Sequence, residues 1–155
     1  MTSPLASLGV SSPWGTWIVE GDHDGLTTIH LPGARRRAHG APSPLVRAAA
    51  RQLEQYFAGR RTTFELDLHV SGTEFQTRVW TQLAGVPFGT TVTYRDLAEA
   101  VGHPRAYRAV GSTNAKNPFP VVIPCHRVVA SGGLGGYAGG LDIKRGLLAL
   151  EDLTL

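Results

Sequence analysis

Three prolines, Pro118, Pro120 and Pro124, punctuate the stretch Asn117 to Val129, which reads Asn-Pro-Phe-Pro-Val-Val-Ile-Pro-Cys-His-Arg-Val-Val. Each ring locks its own φ and biases the preceding residue away from helix, so the chain has few ways to pass through this region. Within it lies the apolar run Val121, Val122, Ile123, followed by Cys125, the only cysteine, and then by His126 and Arg127. The pattern predicts a short buried strand that delivers a thiol to a rigid edge. A thiol attacks only as thiolate, and a free cysteine has a pKa of about 8.5 that cationic neighbours lower. A buried cysteine can equally be a small inert hydrophobe. The Pro-Cys-His-Arg order favours the nucleophile, because a packing site has no use for two basic side chains directly after it.

The rest of the chain bounds what such a thiol can do. With 155 residues, 42% hydrophobic and 17% charged, it has the composition of a folded globular protein long enough to bury a core. No run approaches the roughly 20 apolar residues of a membrane span, and the first residues lack the basic-then-apolar order of a signal peptide, which predicts a cytoplasmic protein. One cysteine forms neither an internal disulfide nor a cysteine-cluster zinc site, and the six histidines show no metal-ligand spacing. The net charge of +3 is less informative than its distribution. From Ala100 to Leu141 there is no acidic residue, while Arg105, Arg108, Lys116 and Arg127 are present. A basic face of this kind suits nucleic acid, although many such runs are only solvated surface.

Residues 1 to 13 are Ser-, Pro- and Gly-rich and are expected to be loosely held. Thr16 to Glu20 and Leu26 to Leu31 flank the turn-forming Asp22-His23-Asp24-Gly25, which predicts a β-hairpin. The basic loop from Pro32 to Pro42, with Arg35, Arg36 and Arg37, receives no role. Ser43 followed by Pro44 starts a helix with Leu45, Val46, Ala49, Leu53 and Phe57 on one face, closed by Gly59. Phe64, Leu66, Leu68 and Val70 alternate with polar residues and predict a third strand.

Thr73 with Gln76 forms a capping box for a helix bearing Phe75, Val79, Trp80 and Leu83 up to Gly85. Thr93 with Asp96 opens another, with Leu97, Ala98 and Val101, stopped by Gly102. Pro104 is expected to open the next, through Arg105, Tyr107, Arg108, Ala109 and Val110, ended by Asn117-Pro118. A turn of two or three residues would make these two a helix-turn-helix unit with a basic second helix, or an ordinary helical hairpin. Ala130 to Gly140 holds six glycines and Tyr137, a composition for tight curling around a ligand or for a slack loop. Asp142 is expected to cap a last helix with Ile143, Leu147 and Leu150 on one face. Glu151 falls on that same face. A carboxylate on an apolar stripe at a helix C-terminus is disfavoured by desolvation and by the macrodipole, so it needs a partner, and His126 is available. The plainer alternative is a frayed terminal glutamate in water.

The fold class expected is therefore α+β. A small N-terminal sheet-plus-helix lobe, residues 1 to 71, supports a mainly helical C-terminal domain, residues 72 to 155, with a helix-turn-helix and a short active-site strand.

Pro124-Cys125-His126-Arg127-Val128, the helix Arg108-Ala109-Val110-Gly111 leading to Asn117-Pro118, the Tyr137-Ala138-Gly139-Gly140 loop and Glu151 together resemble the methylated-DNA–protein-cysteine methyltransferases, or O6-alkylguanine-DNA alkyltransferases. Several ordered motifs spanning Gly72 to Glu151 make a far more specific signal than any one of them. The resemblance implies that Cys125 accepts an alkyl group, irreversibly and once, from O6-alkylguanine and O4-alkylthymine in double-stranded DNA. It implies His126 as base through a water, Glu151 as the carboxylate that orients it, and Asn117 as a residue bonding backbone beside the cysteine. Tyr94, Val128, Tyr137, Ala138 and Pro120 would line the guanine pocket. Arg105, Ala106, Tyr107, Arg108 and Arg127 would face DNA in the minor groove, Arg108 filling the gap left by a flipped base. Ala138 stands where some members have Ser, which keeps the backbone N–H and removes a hydroxyl. No cofactor, metal or membrane is implied, and the protein is expected to act as a monomer, with cooperation along DNA left open. Three other readings compete: a non-catalytic alkyl-lesion binder of the same architecture, a helix-turn-helix regulator with a structural cysteine, and, more weakly, a cysteine hydrolase.

Overall fold

The computed structural model describes residues 4–33 and 36–154. The chain divides into two compact units, Met1–Val70 and Ser71–Leu155. The first is an antiparallel sheet with one helix and the second is mainly helical, so the α+β class holds.

In the first unit, β1 (Ala6–Ser12), β2 (Gly15–Gly21) and β3 (Leu26–His30) lie in that order. β1 corrects the expectation of a loose N-terminus. Its small residues carry little strand preference of their own, but β2 presents Trp17, Ile18 and Val19 opposite them, and seven residue pairs run from Ala6↔Gly21 to Ser12↔Gly15. The β2–β3 hairpin turns where expected: the Asp22 carboxylate accepts from the Asp24 and Gly25 N–H groups. α1 (Pro44–Phe57) begins at the Ser43 cap, whose hydroxyl accepts from the Val46 N–H, and ends before Gly59 at φ 75°. Its buried face is Val46, Ala49, Ala50, Leu53 and Tyr56. The expected third strand at Phe64 to Val70 is not one. Only Leu68 bridges, to Leu26, with Leu26 donating to the Asp67 carbonyl and His69 to that of Leu26. Alternation of apolar residues there reflects half-burial rather than a ladder. Arg36 and Arg37 are exposed, and Arg35 lies outside the described residues.

The second unit is built from α2 (Glu74–Ala84), β4 (Val92–Thr93), α3 (Tyr94–Ala100), α4 (Tyr107–Ala115), β5 (Val128–Val129) and α5 (Leu141–Leu150). Both predicted capping boxes form, Thr73 with Gln76 and Thr93 with Asp96. Trp80 of α2 donates through Nε1 to the Thr113 carbonyl of α4 at 3.1 Å, which ties the helices across their apolar faces. The connection between α3 and α4 is longer than expected. α4 starts at Tyr107, because Gly102 (φ 82°) ends α3 and Pro104-Arg105 lie in a turn closed by an Ala106 N–H bond to the His103 carbonyl. α5 is capped by Gly140 (φ 97°) rather than by Asp142, which lies inside the first turn. There its carboxylate still favours the positive end of the macrodipole.

The proline-punctuated stretch departs furthest from expectation. Cys125–Arg127 is a 3-10 turn, not a strand, and only Val128–Val129 continue as β5, paired parallel to β4. Val121, a β-branched residue, takes φ 76°, which L side chains rarely adopt. Phe119, Pro120, Val121, Ile123 and Pro124 are buried around this bend, and the Ile123 N–H closes it on the Phe119 carbonyl at 2.8 Å. Packing on both sides holds the strained residue in place. Among the described residues no helix is long and apolar enough to cross a membrane.

Candidate active site

The 3-10 turn places three consecutive side chains, Cys125, His126 and Arg127, in the interior at 5%, 0% and 6% exposure. Glu151, the C-cap of α5, is the group that His126 and Arg127 share. Its Oε2 is 2.6 Å from His126 Nε2, while Arg127 donates Nε to Oε1 at 2.8 Å and Nη2 to Oε2 at 3.0 Å. The Gly89 N–H adds a bond to Oε1 at 2.9 Å. Burial alone would push this carboxyl up, but the bonds from His126 and Arg127, with that from Gly89, hold it well below the ordinary carboxylate range. Glu151 is therefore an anion, and the His126 nitrogen facing it carries the proton. Burial pushes the imidazole down, and the nearby Arg127 and Lys144 charges act the same way against the upward pull of Glu151, so His126 rests neutral with Nδ1 as the basic nitrogen.

Arg127 corrects one expectation. It is not a DNA-facing side chain: its guanidinium is spent on Glu151 and, through Nη1, on the Val86 carbonyl at 2.7 Å, with the Phe88 ring 5.8 Å from Cζ. Planar forked donors suit one carboxylate and one carbonyl at once.

The thiol is buried but not surrounded by hydrocarbon. Burial pushes it up, and side-chain hydrogen bonds from Asn117 and Tyr137, the Cys125 N–H and the Lys144 charge pull it back. Asn117 follows α4, donates Nδ2 to the Ile123 carbonyl at 2.6 Å and accepts the Phe119 N–H at 2.9 Å. Asn114, on α4 itself and 6% exposed, donates to the Cys125 carbonyl at 3.2 Å. Two amides thus moor the cysteine to the α4 end of the unit.

Tyr94, the first residue of α3, stands across the site. Its half-buried hydroxyl takes the Gly136 N–H, burial pushes it up, and it feels the Cys125 sulfur. A methyl group at Gly135, where φ is 73°, would lie 3.1 Å from the Tyr94 hydroxyl and 3.2 Å from the Ala130 nitrogen, so the close approach requires glycine. Ala138 is exposed in the same loop, Tyr137 is half-buried, and Val128 and Pro120 are buried. On α4, Tyr107 and Arg108 are exposed, as is Arg105 in the preceding turn, with Ala106 half-buried between them. No group of three or more His, Cys, Asp or Glu among the described residues could hold a metal.

Four site residues escaped the sequence reading in part or whole: Asn114, Gly135, Lys144 and the inward role of Arg127. Lys144 occupies the apolar face of α5 between Ile143 and Leu147 and is fully buried. The only signal was a basic residue inside that stripe.

The sequence profile of the 6-O-methylguanine DNA methyltransferase DNA-binding domain matches residues 74–153. A methylated-DNA–protein-cysteine methyltransferase of Methanosarcina barkeri is 44% identical over 153 residues, 94% of this chain and 96% of its own length. One of Mycobacterium tuberculosis is 42% identical over 157 residues, with 94% and 95% covered. The solved O6-methylguanine methyltransferase of Mycobacterium tuberculosis superposes with a TM-score of 0.84 at 38% identity, over 96% of this chain and 93% of that one. The OGT of that organism in complex with DNA gives 0.84 at 41% identity, over 92% and 90%. With its polar-lined thiol, its carboxylate-held imidazole and relatives similar over nearly its whole length, the chain belongs to the methylated-DNA–protein-cysteine methyltransferase family.

Proposed function

We propose that this protein repairs duplex DNA by moving the alkyl group of O6-alkylguanine onto Cys125, once per molecule. The observation that carries this reading is the buried Glu151–His126 pair, 2.6 Å apart, adjoining the only thiol of the chain. A purely structural cysteine would leave that pair and the polar lining of the sulfur without a purpose.

The chemistry follows from the charges. The Cys125 proton passes through a water to His126 Nδ1, whose ring Glu151 holds by the opposite nitrogen and whose positive charge it then stabilises. The thiolate attacks the alkyl carbon in line; a C–S bond forms as the C–O bond breaks, and the electron pair leaves with guanine O6. The expelled base needs a proton or a hydrogen bond, for which the Tyr94 hydroxyl near N3 and the Ala138 N–H near O6 are placed in this reading. Val128, Tyr137 and Pro120 complete the pocket, and Asn117 fixes the thiol's approach. O4-alkylthymine offers the same exocyclic ether and is a second substrate. The thioether is a poor leaving group and no second thiol is present to take the alkyl group on, so turnover stops at one.

A stacked base hides its O6 substituent from any sulfur inside a protein, so the nucleotide must rotate out, at a cost of a few kcal/mol. Exposed Arg108 at the start of α4 fills the vacated space, and Arg105, Ala106 and Tyr107 rest on the backbone and minor groove. Shape and phosphate contacts of this kind do not read sequence, as repair at arbitrary positions demands.

Mixing the protein with a duplex containing O6-methylguanine is expected to add one methyl group to Cys125, read by intact mass, and Cys125→Ala is expected to abolish it. Binding of the duplex without a change in mass would replace transfer by lesion recognition. Arg108→Ala is expected to slow repair of duplex at least about tenfold while leaving reaction with free O6-benzylguanine within about twofold, because only duplex demands extrusion. Equal losses would remove the finger role.

Glu151 also sets a pH dependence. Its carboxyl lies below its ordinary 4.5 in the folded chain, so the folded state binds fewer protons than the unfolded one. The stabilisation is complete above 4.5 and is lost as pH falls through and below it. Glu151→Gln is expected to cost about 3 kcal/mol at pH 7, by leaving the Arg127 charge buried without its counter-ion, and to flatten the acid limb in urea unfolding. An unchanged limb would place the acid sensitivity elsewhere.

A further inference from the structure

Lys144 is the charged group of the site that the alkyl transfer leaves without a task. It is 0% exposed, and its Nζ donates to the Val128 carbonyl at 2.6 Å and to the Gly136 carbonyl at 2.9 Å. Taking an ammonium out of water is costly, and a methionine would fill the same space with no charge to desolvate. The two carbonyl dipoles offset part of that cost. Both belong to segments that touch the sulfur: Val128 follows the Cys-His-Arg turn, and Gly136 precedes Tyr137, whose side chain hydrogen-bonds Cys125. The charge is thus anchored to the segment that carries the thiol and to the loop that hydrogen-bonds it.

Cys125 and His126 of the 3-10 turn feel this ammonium, while Tyr137 meets the same sulfur and Tyr94 takes the N–H of Gly136, whose carbonyl holds Nζ. Asp142 and Arg145 on its own helix are exposed. Burial pushes Lys144 from 10.5 down to about 8, and a negative sulfur pulls it back up. In return the ammonium pulls the Cys125 thiol down against burial and helps to keep His126 neutral.

We propose that Lys144 is a positioning residue for the alkyl transfer: its ammonium, locked between the Val128 and Gly136 carbonyls, is a fixed positive charge that raises the thiolate fraction of Cys125. This rests on the reading of Cys125 as the alkyl acceptor. Lys144 acts on the sulfur without touching DNA, and the depressed affinity for its own proton is the counterpart of holding a cation in a dry wall. By linkage, stability rises with pH from about 8 towards 10.5, where the unfolded chain still binds a proton that the folded one has lost.

The test is the pH profile of Cys125 carbamidomethylation by iodoacetamide, a reaction that needs no DNA, compared in the wild-type protein, Lys144→Met and Lys144→Arg. The midpoint is expected to rise by about one pH unit in Lys144→Met, slowing the reaction about tenfold on the acid side, and to return most of the way in Lys144→Arg. Single-turnover methyl transfer from an O6-methylguanine duplex is expected to fall by a similar factor in Lys144→Met. A slower transfer with an unmoved iodoacetamide midpoint would overturn the proposal and leave Lys144 as a prop for the loop. A wild-type protein that never takes up methyl, yet whose midpoint moves in Lys144→Met, would sink the alkyl-transfer reading and with it the part Lys144 plays in that transfer, while the coupling of Lys144 to the sulfur would stand. Should Lys144→Met not fold, the Lys144 13Cε titration answers the same question in the folded protein. Cys125→Ser is expected to lower its midpoint, because the sulfur's charge is gone, and an unchanged midpoint overturns the coupling.

Discussion

One buried carboxylate organises the second unit. Glu151 accepts from His126, twice from Arg127 and from Gly89, and these bonds join the C-terminus of α5, the 3-10 turn and the connection between α2 and β4. An unpaired charge at this depth would cost several kcal/mol, so the fold and the chemistry depend on the same set of bonds. The carboxylate is neutralised by Arg127, and what remains of its field falls on His126. The division matters. Arg127 keeps Glu151 ionised whatever happens to the imidazole, and His126 is thereby free to gain and lose a proton without the site coming apart.

A second set of constraints holds the thiol at a fixed place relative to α4. Asn114 and Asn117 bond the Cys125 and Ile123 carbonyls, the prolines remove alternatives, and Val121 is forced to φ 76° in the bend between them. Strain of this kind is a cost of the order of 1–3 kcal/mol, retained where the surroundings over-determine the backbone. It places the buried sulfur within reach of hydrogen-bonding side chains. Under the proposed alkyl transfer, positioning of this kind is what lets a thiol that burial discourages from ionising serve as a nucleophile.

Much of this arrangement was legible in the chain because it is written in local patterns. The capping boxes at Thr73 and Thr93, the Ser43-Pro44 start and the apolar period of α5 each state a boundary or a face, and Glu151 falling on that face with His126 to receive it follows from counting residues. What was not legible depends on partners distant in sequence. β1 has weak strand residues and exists because β2 pairs with it. Phe64 to Val70 alternates like a strand but has only the Leu26 bridge. Arg127 sits in a basic segment and reads as surface, yet the depth of Glu151 turns it inward. Lys144 was hidden because a lysine in an apolar stripe is usually taken to reach for water, and only the two carbonyls that meet it explain why it does not. Cys125 in a 3-10 turn, not a strand, follows from Pro124 at φ −80° and ψ 67°, a conformation that ends extended pairing one residue before the thiol.

The claim beneath all of this is that Glu151 holds His126 by its Nε2–H and leaves Nδ1 to take a proton from the sulfur. Measuring the His126 ring 15N shifts tests it directly. The account predicts a neutral ring, protonated at Nε2 and bare at Nδ1, with no titration step at the ordinary 6.5 because burial holds the ring below it. A ring protonated at Nδ1, or one that becomes an imidazolium near the ordinary 6.5, would contradict it.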